Sequence, residues 1–151
     1  IAAGGIATGR AMLGAMALGA DGVQVGSRFA ASEESSASHE FKAQIVDAKE
    51  GSTELMMKQL TPVRLLKNKF YAQVKEAELA CADAETLKQL LGKGRAKKGM
   101  FEGNLDEGEL EIGQVAAMID HILPAADILR NIWEEYIHEG KKLVANIPGL
   151  S

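Results

Sequence analysis

Two short apolar runs in the sequence each end in glycine and pass into a helical pattern. The first is Ile1-Ala-Ala-Gly-Gly5 ahead of Thr8, and the second is Val23-Gln-Val-Gly-Ser27 ahead of Arg28 and Phe29. The chemistry that such turns support is anion binding. Gly-Gly at a strand end lets the backbone turn sharply with no Cβ in the way, and a helix that follows presents unpaired N–H groups. Two such turns on neighbouring parallel strands would grip one phosphate from both sides. The plainer alternative is that these glycines only permit tight strand-to-helix turns.

Few other residues offer chemistry. Period-2 alternation separates Gln24 from Val23 and Val25, so Gln24 is expected to point into the strand bundle, toward a ligand or as a filling amide. Arg28 has the choice of a phosphate or a surface ion pair, and the ion pair is the favoured reading. His39, His121 and His138 fall in helical stretches with no nucleophile or carboxylate set around them. They are read as structural, and no catalytic base is assigned. Met56-Met57 and Phe101 are read as core-packing residues, with the lining of a substrate channel as the alternative. Lys93–Lys98, with Arg95 among them, read as a solvated basic loop, with an acidic carrier protein or a cofactor phosphate as the alternative.

The composition narrows the partners. With 151 residues, 46% of them hydrophobic, the chain has the make-up of a soluble globular domain. A net charge of -4 supplies no basic field, which argues against nucleic acid or an anionic membrane and for a small or acyl substrate. The single Cys81 has no intramolecular partner and no ligand cluster around it, so a reduced, cytoplasmic setting and no metal are expected. No run of about 18 apolar residues suggests a membrane span. Ile1 opens in the middle of an apolar strand, from which the chain is expected to be the C-terminal part of a longer protein.

These residues need elements to hold them. Ile1–Ala3 reads as a buried parallel strand, Gly9–Leu18 as a helix capped by Thr8, and Val23–Val25 as a second strand. Together they form a right-handed βαβ unit. A polar amphipathic helix is predicted over 33–50. Residues 53–62 are left open between extended chain and a short helix. Helices follow over 63–80 and 83–91, the second capped by Asp83 and stopped by Gly92. Residues 92–113 read as an irregular, glycine-rich loop of functional length. A helix is predicted over 112–123 and a last one over 125–139, ended by Gly140, with a frayed tail over 141–151.

Ala-Ala-Gly-Gly-Ile-Ala-Thr-Gly-Arg, then Leu-Gly-Ala-Asp-Gly-Val-Gln-Val-Gly-Ser-Arg-Phe, resembles the end of the FMN-binding barrel in nitronate monooxygenases (2-nitropropane dioxygenases) and the related flavin-dependent enoyl-ACP reductases. Gly92-Lys-Gly to Glu102-Gly103 and Glu109-Leu-Glu-Ile-Gly-Gln114 resemble the family's C-terminal region. The resemblance implies an α/β fold, the C-terminal part of a (β/α)8 TIM barrel, with phosphate held after strands seven and eight. Residues 1–31 would be the last two βα units, 32–140 a mainly helical extension, and 141–151 a tail.

By the same resemblance, Gly4, Gly5, Gln24, Val25, Gly26 and Ser27 would contact FMN. Backbone amides of the glycines and Ser27 would hold its phosphate, the Ser27 hydroxyl would add one more bond, and Gln24 would meet the flavin or its ribityl chain. The substrate would be a small molecule or an acyl thioester, with NAD(P)H as a possible electron donor. The catalytic acid or base would lie upstream of Ile1. A two-stranded sheet is marginal alone, so the helices cover it, chains pair as a homo-oligomer, or an upstream part completes it.

Overall fold

A computed structural model describes residues 1–147. β1 (Ala2–Ala3) and β2 (Val23–Gln24) lie in parallel, with Ala2 opposite Val23 and Ala3 opposite Gln24. α1 (Gly9–Ala17) connects them, and Thr8 caps it by accepting from the Ala11 amide at 3.1 Å. The predicted βαβ unit is therefore present. β2 runs through Val25 and Gly26 into α2 (Ser27–Ala30), a single turn.

What covers α1 comes from the far end of the chain. α6 (Ala125–Ala145) crosses it at Gly9, where an added Cβ would lie 2.2 Å from the Tyr136 nitrogen and 2.3 Å from the Ile132 oxygen. Only a residue without a side chain allows that approach. The Gly9 amide donates to Glu135 Oε2 at 2.7 Å. Arg10 pairs with Glu139 at 3.0 Å, an exposed contact that adds little.

Between α2 and α6 the chain makes a long excursion whose two ends are adjacent. Ser32 and Leu123 form a parallel bridge, and the Glu33 amide donates to the Leu123 carbonyl at 3.0 Å. The excursion contains α3 (His39–Val46), β3 (Thr53–Met56), β4 (Val63–Leu66), α4 (Lys69–Leu79) and α5 (Ala84–Leu91). A π turn over Lys97–Phe101 and a 3-10 turn over Gln114–Met118 follow. One core gathers Phe41, Ile45, Leu66, Leu110, Ile112 and Ile119. The other gathers Met56, Met57, Leu65, Phe70, Val74 and Leu87, which confirms core packing for the two methionines.

Several expected boundaries are corrected. The helix predicted over 33–50 is limited to His39–Val46. Ser38 sets its start by accepting from the Phe41 amide, and Lys42 Nζ fastens the preceding bends through the carbonyls of Glu33 and Ser35. The helix predicted over 63–80 divides. Val63–Leu66 pairs antiparallel with Thr53–Met56, so the open segment is extended chain over its first four residues and a turn after them. Asn68 then starts α4 by accepting from the Tyr71 amide while its own amide donates to the carbonyls of Leu105 and Gly108.

Residues 110–112 lie alongside β4 rather than in a helix, with Leu66 N–H donating to Leu110 O and Ile112 N–H to Arg64 O. The helix predicted over 112–123 is thus reduced to the 3-10 turn, and the expected mainly helical extension carries a β-hairpin. Nor does Gly140 end the last helix, which continues to Ala145, so the tail predicted from 141 is helical over its first residues. The rest of that tail, 148–151, lies outside the described residues.

Because Gly9 meets the backbone of α6, Gly9→Ala is expected to lose at least about 2 kcal/mol of stability. Gly14→Ala on the same helix has open space around its new methyl and is expected to be neutral or slightly stabilising. Urea denaturation of the two variants checks the contrast.

Candidate functional site

Both glycine turns lie at the C-terminal ends of the paired parallel strands. Gly4 and Gly5 have φ of 95° and 70°, a region closed to most side chains, and added Cβ atoms there would meet nothing within 4 Å. Gly26 is equally open. Among the described residues, the amides of Gly5, Gly26 and Ser27 donate no hydrogen bond. Ser27 Oγ accepts from the Gly113 amide at 3.1 Å, which leaves the hydroxyl proton free to donate.

The start of α1 differs from the expectation of unpaired helix amides. Its Gly9 amide is taken by the Glu135 carboxylate and its Ala11 amide by Thr8. An anion at this end of the sheet would therefore draw on the turn amides rather than on the first turn of α1.

The hairpin β3–β4 and residues 110–118 lie over the turns and leave two clefts. One, of about 470 Å³, is lined by Gly5, Gly51, Thr53, Arg64, Gln114 and Met118. The other, of about 560 Å³, is lined by Gly26, Ser27, Pro62, Arg64, Glu111 and Gly113. Arg64 lines both. The sequence reading missed it because it placed residues 63–80 on a helix. An arginine two residues after Pro62, on extended chain, was the available signal.

Gln24, at the end of β2, is exposed, and Val25, which follows it into the turn, is half buried. Arg28 is buried rather than a surface ion-pair partner, and its Nη1 has no hydrogen-bond partner among the described residues. Burial lowers its pKa, opposed by the charge of Asp120. The three histidines are exposed and line neither cleft, with His121 Nδ1 at 2.9 Å from Asp120. Phe101 is exposed rather than in the core. Arg95 is not a solvated loop residue, since it donates to the carbonyls of Leu90, Leu91 and Glu107 and stacks on the Phe70 ring at 4.5 Å. Among the described residues, no group of acids, histidines and cysteine could hold a metal, and no helix is long and apolar enough to cross a membrane.

The family model described as nitronate monooxygenase matches residues 1–135, most of the chain. The chain belongs to the nitronate monooxygenase family. A probable nitronate monooxygenase from Staphylococcus saprophyticus is 35% identical over 124 residues, which cover 81% of this chain and 34% of that protein. Among solved structures, FabK from Thermotoga maritima is similar with a TM-score of 0.88 and 36% identity, covering 96% of this chain and 46% of that one. The nitroalkane oxidase from Streptomyces ansochromogenes follows with a TM-score of 0.72 and 30% identity, over 93% of this chain and 40% of that one. Both structural neighbours are TIM barrels. This member of the nitronate monooxygenase family spans about a third of the length of the curated relative. Proteins of the family and these neighbours are generally flavin-dependent oxidoreductases.

Within the glycine-rich segment 92–113, Glu109 is buried with only 6% of its surface exposed. Burial raises its pKa to about 7, helped by the charge of Glu111 and opposed by that of Arg95. Across the molecule the Tyr71 hydroxyl donates to Glu54, and Lys75 donates to both, which fastens α4 to β3. Burial raises the Tyr71 pKa, which disfavours a role as an acid.

The raised Glu109 pKa makes stability pH-dependent. Between its unfolded value near 4.5 and about 7 the folded state binds more protons than the unfolded one, so stability falls as pH rises through that window. Glu109→Gln is expected to stabilise the protein by up to about 2–3 kcal/mol at pH 8 and to gain far less at pH 4.5. Thermal unfolding at the two pH values checks it.

Proposed function

We propose that this chain forms the phosphate-gripping end of an FMN-dependent oxidoreductase that acts on nitronates. The observation that carries the proposal is the pair of open glycine turns on adjacent parallel strands, with the amides of Gly5, Gly26 and Ser27 uncommitted. In this reading β1–α1 is the first of the barrel's last two βα units and β2 opens the second, with α6 as its helix in place of the expected end at residue 31. The excursion from Ser32 to Leu123 covers its mouth. Exposed Leu18, Leu129 and Trp133 belong to faces that the remaining barrel elements would pack against.

The residues at hand fit a phosphate ester. Ser27 presents a hydroxyl proton beside two glycine amides, and no Cβ fills the space. Gln24, at the end of β2, and the adjoining Val25 would meet the flavin beyond its phosphate. Bound FMN would supply the two-electron redox chemistry, and this chain's share is to orient it and to keep water from the mouth with the hairpin and residues 110–118. The three histidines are exposed and line neither cleft, so none of them is assigned the proton-handling role.

The likeness to FabK favours a second reading, reduction of an enoyl thioester with a nicotinamide nucleotide as donor. The full-length protein separates the two. Nitronate-dependent oxygen uptake without NADH supports the first, NADH-dependent reduction of a crotonyl thioester supports the second, and neither activity would sink both. In either case Gly26→Ala is expected to weaken FMN binding at least tenfold, about 1.4 kcal/mol, while the unfolding midpoint stays near the wild-type value. Flavin fluorescence titration and thermal melts measure the pair.

A further inference from the structure

Arg64 stands out because the glycine-turn chemistry does not use it, although it lines both clefts. It projects from β4 opposite Leu55. One cleft brings it together with Gly5, the other with Gly26 and Ser27. Its side-chain hydrogen bonds within the described residues are made by Nη1 alone, to the Thr53 carbonyl at 3.3 Å and the Thr53 hydroxyl at 3.4 Å, both long. Nε and Nη2 are left uncommitted. Glu50 lines the first cleft and Glu111 the second, yet Arg64 forms no ion pair with either among the described residues.

An arginine placed for structure alone would be expected to close on one of those carboxylates. A guanidinium with a free edge, half buried between two anion-binding turns, is arranged for bidentate contact with an oxyanion. Its backbone is also well anchored for that task. The Arg64 carbonyl accepts from the Ile112 amide at 3.1 Å, and the adjoining Gly113 amide donates to Ser27 Oγ, so the arginine and the second glycine turn are joined through one short segment.

We propose that Arg64 binds the phosphate chemistry of a ligand that lies across both glycine turns, adding the one positive charge that the neutral turn amides lack. The inference rests on the phosphate reading of the turns. The phosphate has two possible sources, the monoester of FMN or the pyrophosphate of a nicotinamide dinucleotide.

The test uses the full-length protein, with FMN, riboflavin and NADH as probes, in wild type, Arg64→Gln and Arg64→Lys. If the source is FMN, Arg64→Gln weakens FMN binding by about tenfold to a hundredfold and leaves riboflavin unchanged. If it is the dinucleotide, FMN affinity holds and the NADH dissociation constant rises by a similar factor. Arg64→Lys, which keeps the charge but loses the fork, is expected to lose only a few-fold on the same probe. It also carries the test should the glutamine variant fail to fold. A glutamine variant with wild-type affinity for FMN and NADH overturns the proposal, as does an equal loss for FMN and riboflavin, which would mark a structural role. In the absence of the glutamine variant, a lysine variant with unchanged affinity for both phosphate probes overturns it too. A wild-type protein that does not distinguish FMN from riboflavin overturns the FMN-phosphate reading of the glycine turns, and it overturns Arg64 too unless Arg64→Gln raises the NADH dissociation constant.

Discussion

The approach of α6 to Gly9 is the constraint on which the rest depends. A parallel ladder of two residues per strand cannot hold its own geometry in water. α1 can support it only if something fixes α1, and α6 does so by bringing its backbone at Ile132 and Tyr136 against Gly9, whose lack of a side chain allows the approach. The Gly9–Glu135 hydrogen bond then sets the register of the crossing. Through this contact the last helix of the chain determines where the first glycine turn stands.

The same contact changes how the site operates. Glu135 places a carboxylate at the start of α1 and engages an amide that would otherwise face an anion. The donors that remain are those of the turns themselves, together with the Ser27 hydroxyl. On the other side, the excursion from Ser32 to Leu123 brings the hairpin and residues 110–113 over the turns and fastens them with the Gly113–Ser27 hydrogen bond. In the proposed reading the site is a backbone cradle beneath a cover, and the hairpin of that cover brings Arg64 to both clefts.

Local signals in the sequence were read correctly where they were strong. Thr8 and Asp83 cap their helices, Gly92 stops α5, and the βαβ unit follows from apolar runs that end in glycine. The nitronate monooxygenase family was legible in the same residues. The parts that escaped were set by partners distant in sequence. Val63–Leu66 carries apolar residues that also fit a helical stripe with Phe70 and Val74, and only its pairing with Thr53–Met56 makes it a strand. Ile112 is held by Arg64, and the crossing at Gly9 depends on a helix more than a hundred positions away. Arg64 was hidden by the first of these errors, and the burial of Arg28 and Arg95 by packing that no local pattern encodes. Gly140 offered a stop signal that α6 overrode by packing beside Leu13.

The central claim is that the turn amides receive the phosphate. Amide chemical shifts of the 15N-labelled full-length protein, followed as FMN is added, test it most directly. The account predicts downfield proton shifts at Gly5, Gly26 and Ser27 with FMN that riboflavin does not reproduce. Identical perturbations with the two flavins, or phosphate-dependent shifts confined to the lysines of 93–98, would contradict it.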